Sequence, residues 1–417
     1  MTIDSYLDSF DLPTGAATTT EVRIGYGHAP KALICFGGGS ASTTDSAGSR
    51  DMLCSFGAGT GPSNRGSICG GIKQGDFTTT SSQVFYDYEF CILHDSDISL
   101  IATEGRFDIQ SMNSNGVTLV VDDQNTESRI LRILSLGGSG IVNAEVGTFN
   151  SSASTGDQDI TSLSFRPDAV FMFANERSTT GSQADFVLSI GAAAGKSDIV
   201  NAVSGVFSED DVTTSDETSY CRLGECAIRM GPLGTVIKRG SVTDWLSNGF
   251  RINWAEVDGS TTDYVFLAIQ TAPGSGFEII SGTTATNTSP FSVECSTVSP
   301  SVGIVVSCCR AQSSSDTPTS DTQISFGAFT GTSTSYSLGF HALGGDTVDM
   351  DVGDAIDYDS VYVNVNASGS IVGEMDVTGI SGKTIEFTMS NADPSASFFW
   401  ALVGGEVRVP SSAPIFF

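Results

Sequence analysis

Phe165-Arg166-Pro167-Asp168-Ala169-Val170-Phe171-Met172-Phe173 has two close relatives in the same chain. They are His28-Ala29-Pro30-Lys31-Ala32-Leu33-Ile34-Cys35-Phe36 and Val298-Ser299-Pro300-Ser301-Val302-Gly303-Ile304-Val305-Val306. The prolines lie 137 and 133 residues apart, so the chain reads as one unit written three times. Proline ahead of an apolar run fixes φ, removes a donor and pushes the preceding residue toward extended geometry, all of which suit the start of a strand. The phrase is therefore expected to mark the first core strand of each of three modules.

Other phrases keep step with it. Ser55-Phe56-Gly57-Ala58, Ser189-Ile190-Gly191-Ala192 and Ser325-Phe326-Gly327-Ala328 place a glycine 27, 24 and 27 residues beyond the proline. Gly116, Gly249 and Gly382 each open an alternating apolar run, at offsets of 86, 82 and 82. Each unit then closes on an apolar strand, at Ile130 to Leu136, Tyr264 to Ile269 and Phe398 to Val403. Glycine recurring at a fixed offset marks a bulge or a corner.

With 417 residues and 47 glycines, the chain shows short alternating apolar runs split by Gly, Asn, Asp and Ser rather than helical periodicity. The expected fold is all-β: three tandem β-sandwich, jelly-roll-like repeats of about 130 residues. The boundaries read as an N-terminal arm over 1–20, repeats over 21–145, 146–280 and 281–409, and an apolar tail over 410–417. Ser197 to Val206 is the best helical candidate, and it too reads acceptably as a strand.

The formal charge is −29, from 48 acidic and 19 basic residues. Such a surface repels phosphate backbones, which argues against nucleic-acid binding. An Asp-rich, Lys-poor chain suits saline surroundings. There is no run of 18 apolar residues, so no membrane span is expected, and the N-terminus lacks a basic stretch followed by an apolar core. The nine cysteines do not recur at equivalent repeat positions and are read as free thiols, several of them small core residues.

Chemistry is harder to find. The three histidines are His28, His94 and His341. His94-Asp95-Ser96-Asp97 has the residue types of a nucleophile relay, but adjacency along a turn does not make a triad, and no catalytic residue is assigned. Asp346, Asp349, Asp351 and Asp354 are the candidate calcium ligands. Their run lacks the spacing of a calcium loop, so a solvated acidic segment is the preferred reading. Trp245, in a turn-like stretch before Asn248-Gly249, is the candidate exposed ring for a glycan or partner. Ile415, Phe416 and Phe417 close the chain as an apolar tail suited to a partner's groove.

The repeated Pro-x-Ala/Gly apolar runs and Ser-x-Gly-Ala phrases, carried on Gly/Ser/Thr-rich alternating strands from about Glu21 to Val409, resemble surface proteins of tailed viruses. Those of marine bacteriophages and haloarchaeal viruses are the most similar in style. The resemblance implies a non-enzymatic virion structural protein, as capsid decoration, turret or tail component. Its implied partners are other virion proteins, further copies of itself and host glycans. Two other readings are a glycan-binding or carbohydrate-active surface protein and a surface-layer protein of a halophile. No cofactor beyond the calcium candidate is expected.

Overall fold

The computed structural model describes residues 1–12, 19–39, 46–49, 51–75, 78–95, 98, 103–123, 129–176, 178–214, 216–308, 321–344, 351–366 and 368–407. The fold is all-β and antiparallel throughout.

The first part of the chain contributes β1 (Asp4–Asp11), β2 (Thr20–Ile24), β3 (Pro30–Gly38), β4 (Ser46–Ser49), β5 (Met52–Gly61), β6 (Asn64–Ile72), β7 (Ser81–Tyr86), β8 (Cys91–His94), β9 (Thr103–Asn113), β10 (Gly116–Asp123) and β11 (Ile130–Gly137). Then come β12 (Ile141–Asn150), β13 (Gly156–Ile160), β14 (Ala169–Ala174), β15 (Gly181–Ala184), β16 (Phe186–Ala194), β17 (Val200–Ser208), β18 (Glu217–Leu223), β19 (Ala227–Gly231), β20 (Thr235–Leu246), β21 (Gly249–Glu256) and β22 (Asp263–Thr271). The last part supplies β23 (Ser275–Thr283), β24 (Phe291–Glu294), β25 (Val298–Ser307), β26 (Thr322–Thr330), β27 (Thr334–Ala342), β28 (Val352–Asp357), β29 (Tyr362–Val365), β30 (Ile371–Ser381), β31 (Thr384–Asn391) and β32 (Phe398–Val407).

The large sheets run β1-β11-β3-β5-β6-β7, β12-β22-β14-β16-β17-β18 and β23-β32-β25-β26-β27-β28. Each faces a small sheet, ordered β2-β10-β9-β8, β13-β21-β20-β19 and β24-β31-β30-β29. Strand for strand, the three orders are equivalent.

Residues alternate between two faces along a strand, so a run buried at every position must be covered on both sides. Leu33, Cys35, Leu131 and Ile133 pack against Phe107, Ile109 and Val117 of the small sheet. Ala32, Ile34 and Phe36, on the other face of β3, enter a core shared with Phe171 and Phe173 of β14 and with Ile304 and Val306 of β25. The three sandwiches thus lean their large sheets on one another around a single apolar centre.

Strand contacts close this arrangement into a ring. β12 lies on β5 and β6, β23 lies on β16 and β17, and β1 lies on β25 and β26. Segments between the third and fifth strands cross the same seams. β15 extends the first large sheet by pairing with β7, and β4 extends the third by pairing with β28. At the remaining seam, Ser219 Oγ donates to Asp321 O at 2.9 Å and Thr322 Oγ1 donates to Phe207 O at 2.8 Å.

The strand pairing corrects several expectations. Within the expected N-terminal arm, Asp4–Asp11 form β1, which pairs along its whole length with β11. It also lies against β25 and β26 of the third sandwich. The seams move as well, because β12 pairs with β22 and β23 pairs with β32, giving Ile141 to Asn150 and Ser275 to Thr283 to the sandwiches that follow them. The proline phrase marks the third strand of each unit, since two strands precede it. Ser197 to Val206 is no helix; from Val200 it belongs to β17. Gly116 and Gly249 stand opposite Asn113 and Leu246, but Thr384 takes the equivalent place opposite Ser381, and Gly382 lies in the turn at φ 62°. The tail over 410–417 lies outside the described residues.

The Ser-x-Gly phrase fastens each small sheet to its large one. A Cβ on Gly57, Gly191 or Gly327 would stand 2.0, 1.9 or 2.1 Å from the carbonyl oxygen of Phe90, Cys226 or Val361. Each of those residues immediately precedes a small-sheet strand, β8, β19 or β29. The serine two positions earlier adds a bond: Ser189 Oγ accepts from Ile228 N and Ser325 Oγ accepts from Val363 N.

Candidate functional site

The histidines are the natural start for chemistry, and all three are buried. His94 Nε2 meets Ser82 Oγ at 2.6 Å, a serine far from the one its own turn suggested. Its Nδ1 bonds the carbonyl of Asp95 at 2.8 Å rather than a carboxylate. Burial pushes the ring's pKa down, favouring the neutral imidazole. This is the hydrogen-bond order of a nucleophile pair, yet Ser82 and His94 are 0% and 1% exposed, so no substrate reaches the hydroxyl. His28 Nε2 bonds Ser135 Oγ at 2.9 Å in an equally closed setting, and His341 lies between Gln323 and the carbonyl of Val365.

One place in each sandwich concentrates polar groups: the corner where the first strand leaves the large sheet. The backbone bonds there are equivalent, from Leu12 N to Arg129 O, Ser151 N to Thr262 O and Thr284 N to Ser397 O. The side chains differ entirely. In the first sandwich, Arg129 Nη1 donates to His94 O at 2.7 Å. In the second, Lys238 Nζ donates to Ser151 Oγ at 2.8 Å, with Asp258 Oδ1 at 3.8 Å. Burial draws the Lys238 pKa down to about 8 despite that carboxylate. In the third, Tyr362 and Ser397 hydroxyls donate to Asp393 Oδ2 at 2.6 and 2.7 Å. Three different networks close one topological corner; the first and third are enclosed, and the second buries Lys238 and Ser151 while Asp258 stands at the surface. They satisfy buried polar groups rather than present chemistry.

The remaining candidates fall apart in space. Trp245 is not an exposed ring: it is 4% exposed and its Nε1 donates to Gly195 O at 2.6 Å. A bulge between Val242 and Asp244 shifts the alternation of β20, so Trp245 joins Val242 on the inner face. Trp254 and Trp400 are buried too. Of the calcium candidates, Asp346 and Asp349 lie outside the described residues. Asp351 is exposed and accepts weakly from Gln74 Nε2 at 3.5 Å, whereas Asp354 is wholly buried in β28. Asp351 precedes the strand, and among the described residues no three acidic, histidine or cysteine side chains gather closely enough to hold a metal. Ile415, Phe416 and Phe417 lie outside the described residues, as does Cys309; the other eight cysteines are buried thiols.

The seam between the second and third sandwiches carries a titratable group that sequence reading missed. Glu217 is buried at the start of β18 and accepts from Ser208 Oγ at 2.7 Å. Burial pushes its pKa up to about 8, against the hydrogen bonds from Ser208 and Thr322. Between the unfolded value of about 4.3 and pH 8, the folded chain holds one proton more than the unfolded chain. Stability from this group is therefore full at low pH and is lost as pH rises toward 8, by an amount on the order of a few kcal/mol. Glu89, pushed up to about 8 chiefly by burial, acts with the same sign. The melting temperature is expected to fall between pH 5 and pH 8, and Glu217→Gln to flatten much of that slope. Equal slopes in the two proteins would remove Glu217 as its source.

No helix among the described residues is long and apolar enough to cross a membrane. No protein-family model and no curated protein matches the chain.

Proposed function

We propose that this chain is a non-enzymatic virion structural protein, a capsid decoration, turret or tail component that acts by assembly and surface display. The observation that carries the reading is the closure of three sandwiches around one core, each joined to the next by an exchanged strand or a hydrogen-bonded segment. A single chain then presents a threefold-like body to its surroundings. Such a body suits a seat of threefold symmetry or a ring of repeated subunits, where several weak contacts add up. The enclosed state of its serine–histidine and lysine–serine pairs supports assembly rather than turnover. Other virion proteins and further copies of the chain are its partners in this reading, with the virion as its location.

Purified particles from a host carrying the gene provide the test. Mass spectrometry is expected to find the chain in stoichiometric amount, and cryo-electron microscopy to find a body of three lobes on the capsid or tail. Particles free of the chain would overturn the proposal.

A further inference from the structure

Among the described residues, β2, β13 and β24 each form one edge of a small sheet, with no partner strand on the outer side. An open edge invites pairing with another chain, and proteins guard against it with outward charges. β13 is guarded at the outward positions by Asp157 and Asp159, the latter bonded to Arg251 at 2.6 Å. β24 carries Ser292 and Glu294 outward. At the equivalent outward positions β2 carries Val22 and Ile24, 56% and 69% exposed. Its charged residues turn the other way, Arg23 bonding Asp8 at 2.7 and 2.8 Å and Glu21 at 3.0 Å.

Thr20-Glu21-Val22-Arg23-Ile24 is also complementary to itself. Laid antiparallel on a second copy, it sets Val22 against Val22, Glu21 against the partner's Arg23, and Ile24 against the partner's Thr20. The same operation on β13 would bring aspartates together. We propose that two copies of this chain pair edge to edge through β2, joining two four-stranded sheets across a twofold axis centred on Val22. Such an interface is isologous and closes after two copies. It stands whether or not the protein works in a particle. Because both copies carry −29, pairing is expected to tighten as salt screens their repulsion.

Sedimentation equilibrium of the full chain in moderate salt is expected to give twice the 43.4 kDa of one chain, with Val22→Asp reduced to a single chain at unchanged circular dichroism. Register is read separately by cysteine cross-linking in a Cys309→Ser background, since the other cysteines are buried. Val22→Cys should form an intermolecular disulfide on mild oxidation, and Ile24→Cys should not, because it faces the partner's Thr20. A wild-type chain that stays single at every concentration, a dimer that survives Val22→Asp, or equal cross-linking at both positions would each overturn the proposal.

Discussion

Gly191→Ala is expected to leave little or no folded protein. A Cβ at this position would stand 1.9 Å from the Cys226 carbonyl oxygen and 2.6 Å from its carbon, and both belong to backbone that no rotamer change can move. Relief requires β19 to lift from β16, which breaks the bond from Ile228 N to Ser189 Oγ and opens the core that contains Cys226, Val242 and Trp254. Overpacking of a well-filled core costs about 1–3 kcal/mol where side chains can yield, and here the obstacle cannot, so the cost should reach the upper end or beyond. Soluble yield and the chemical-denaturation midpoint measure it. A Gly191→Ala protein within about 1 kcal/mol of wild type would show that the sheets are not held together as described.

Phe326→Ala is the second large effect, and its distribution matters more than its size. The Phe326 ring lies 4.9 Å from Phe36, 5.1 Å from Phe56 and 6.3 Å from Phe171, so one side chain of the third sandwich touches both others. Truncating a buried phenylalanine costs about 3–5 kcal/mol through lost burial and the cavity left behind. Because the cavity lies in the shared centre, deuterium uptake should rise together in β3, β14 and β26. Phe250→Ala provides the contrast, since Phe250 packs only within the second sandwich. Uptake confined to β26 in the Phe326 variant would contradict the common core.

The site candidates were less legible than the strands, for a consistent reason. His94 advertises a relay with Asp95 and Ser96 in sequence, but its partner Ser82 comes from β7 of the facing large sheet, which only the packing of the two sheets brings near. The acidic run from Asp346 to Asp354 is plain in sequence, yet Asp354 lies in β28, which is buried along its whole length, while Asp351 precedes the strand and stays in solvent. Trp245 read as exposed because it stands just before the Asn248-Gly249 turn, but β20 runs on to Leu246 and a bulge, which carries no strong sequence signal, turns the ring inward. In β2 the usual polarity is inverted: Arg23 turns inward to bond Asp8 and Glu21, and Val22 and Ile24 are left outside. No local pattern announces that inversion, since Asp8 lies 15 residues away on another strand.

What the sequence determined alone was everything that depends on neighbouring residues and on backbone freedom. Proline beside an apolar run places a strand, and alternation without helical periodicity makes the chain all-β, whereas the glycine of the Ser-x-Gly phrase, read as a bulge or corner, is a close approach between sheets. Its uninterrupted runs, such as Ala169-Val170-Phe171-Met172-Phe173-Ala174, also required cover on both faces. What supplied the second cover only the tertiary structure could decide. Apolar burial is non-directional, so a run of buried residues specifies that water is excluded and not which sheet excludes it. The fold answered with the chain's own other sandwiches, and in doing so turned the apparent N-terminal arm into β1, the strand that closes the ring.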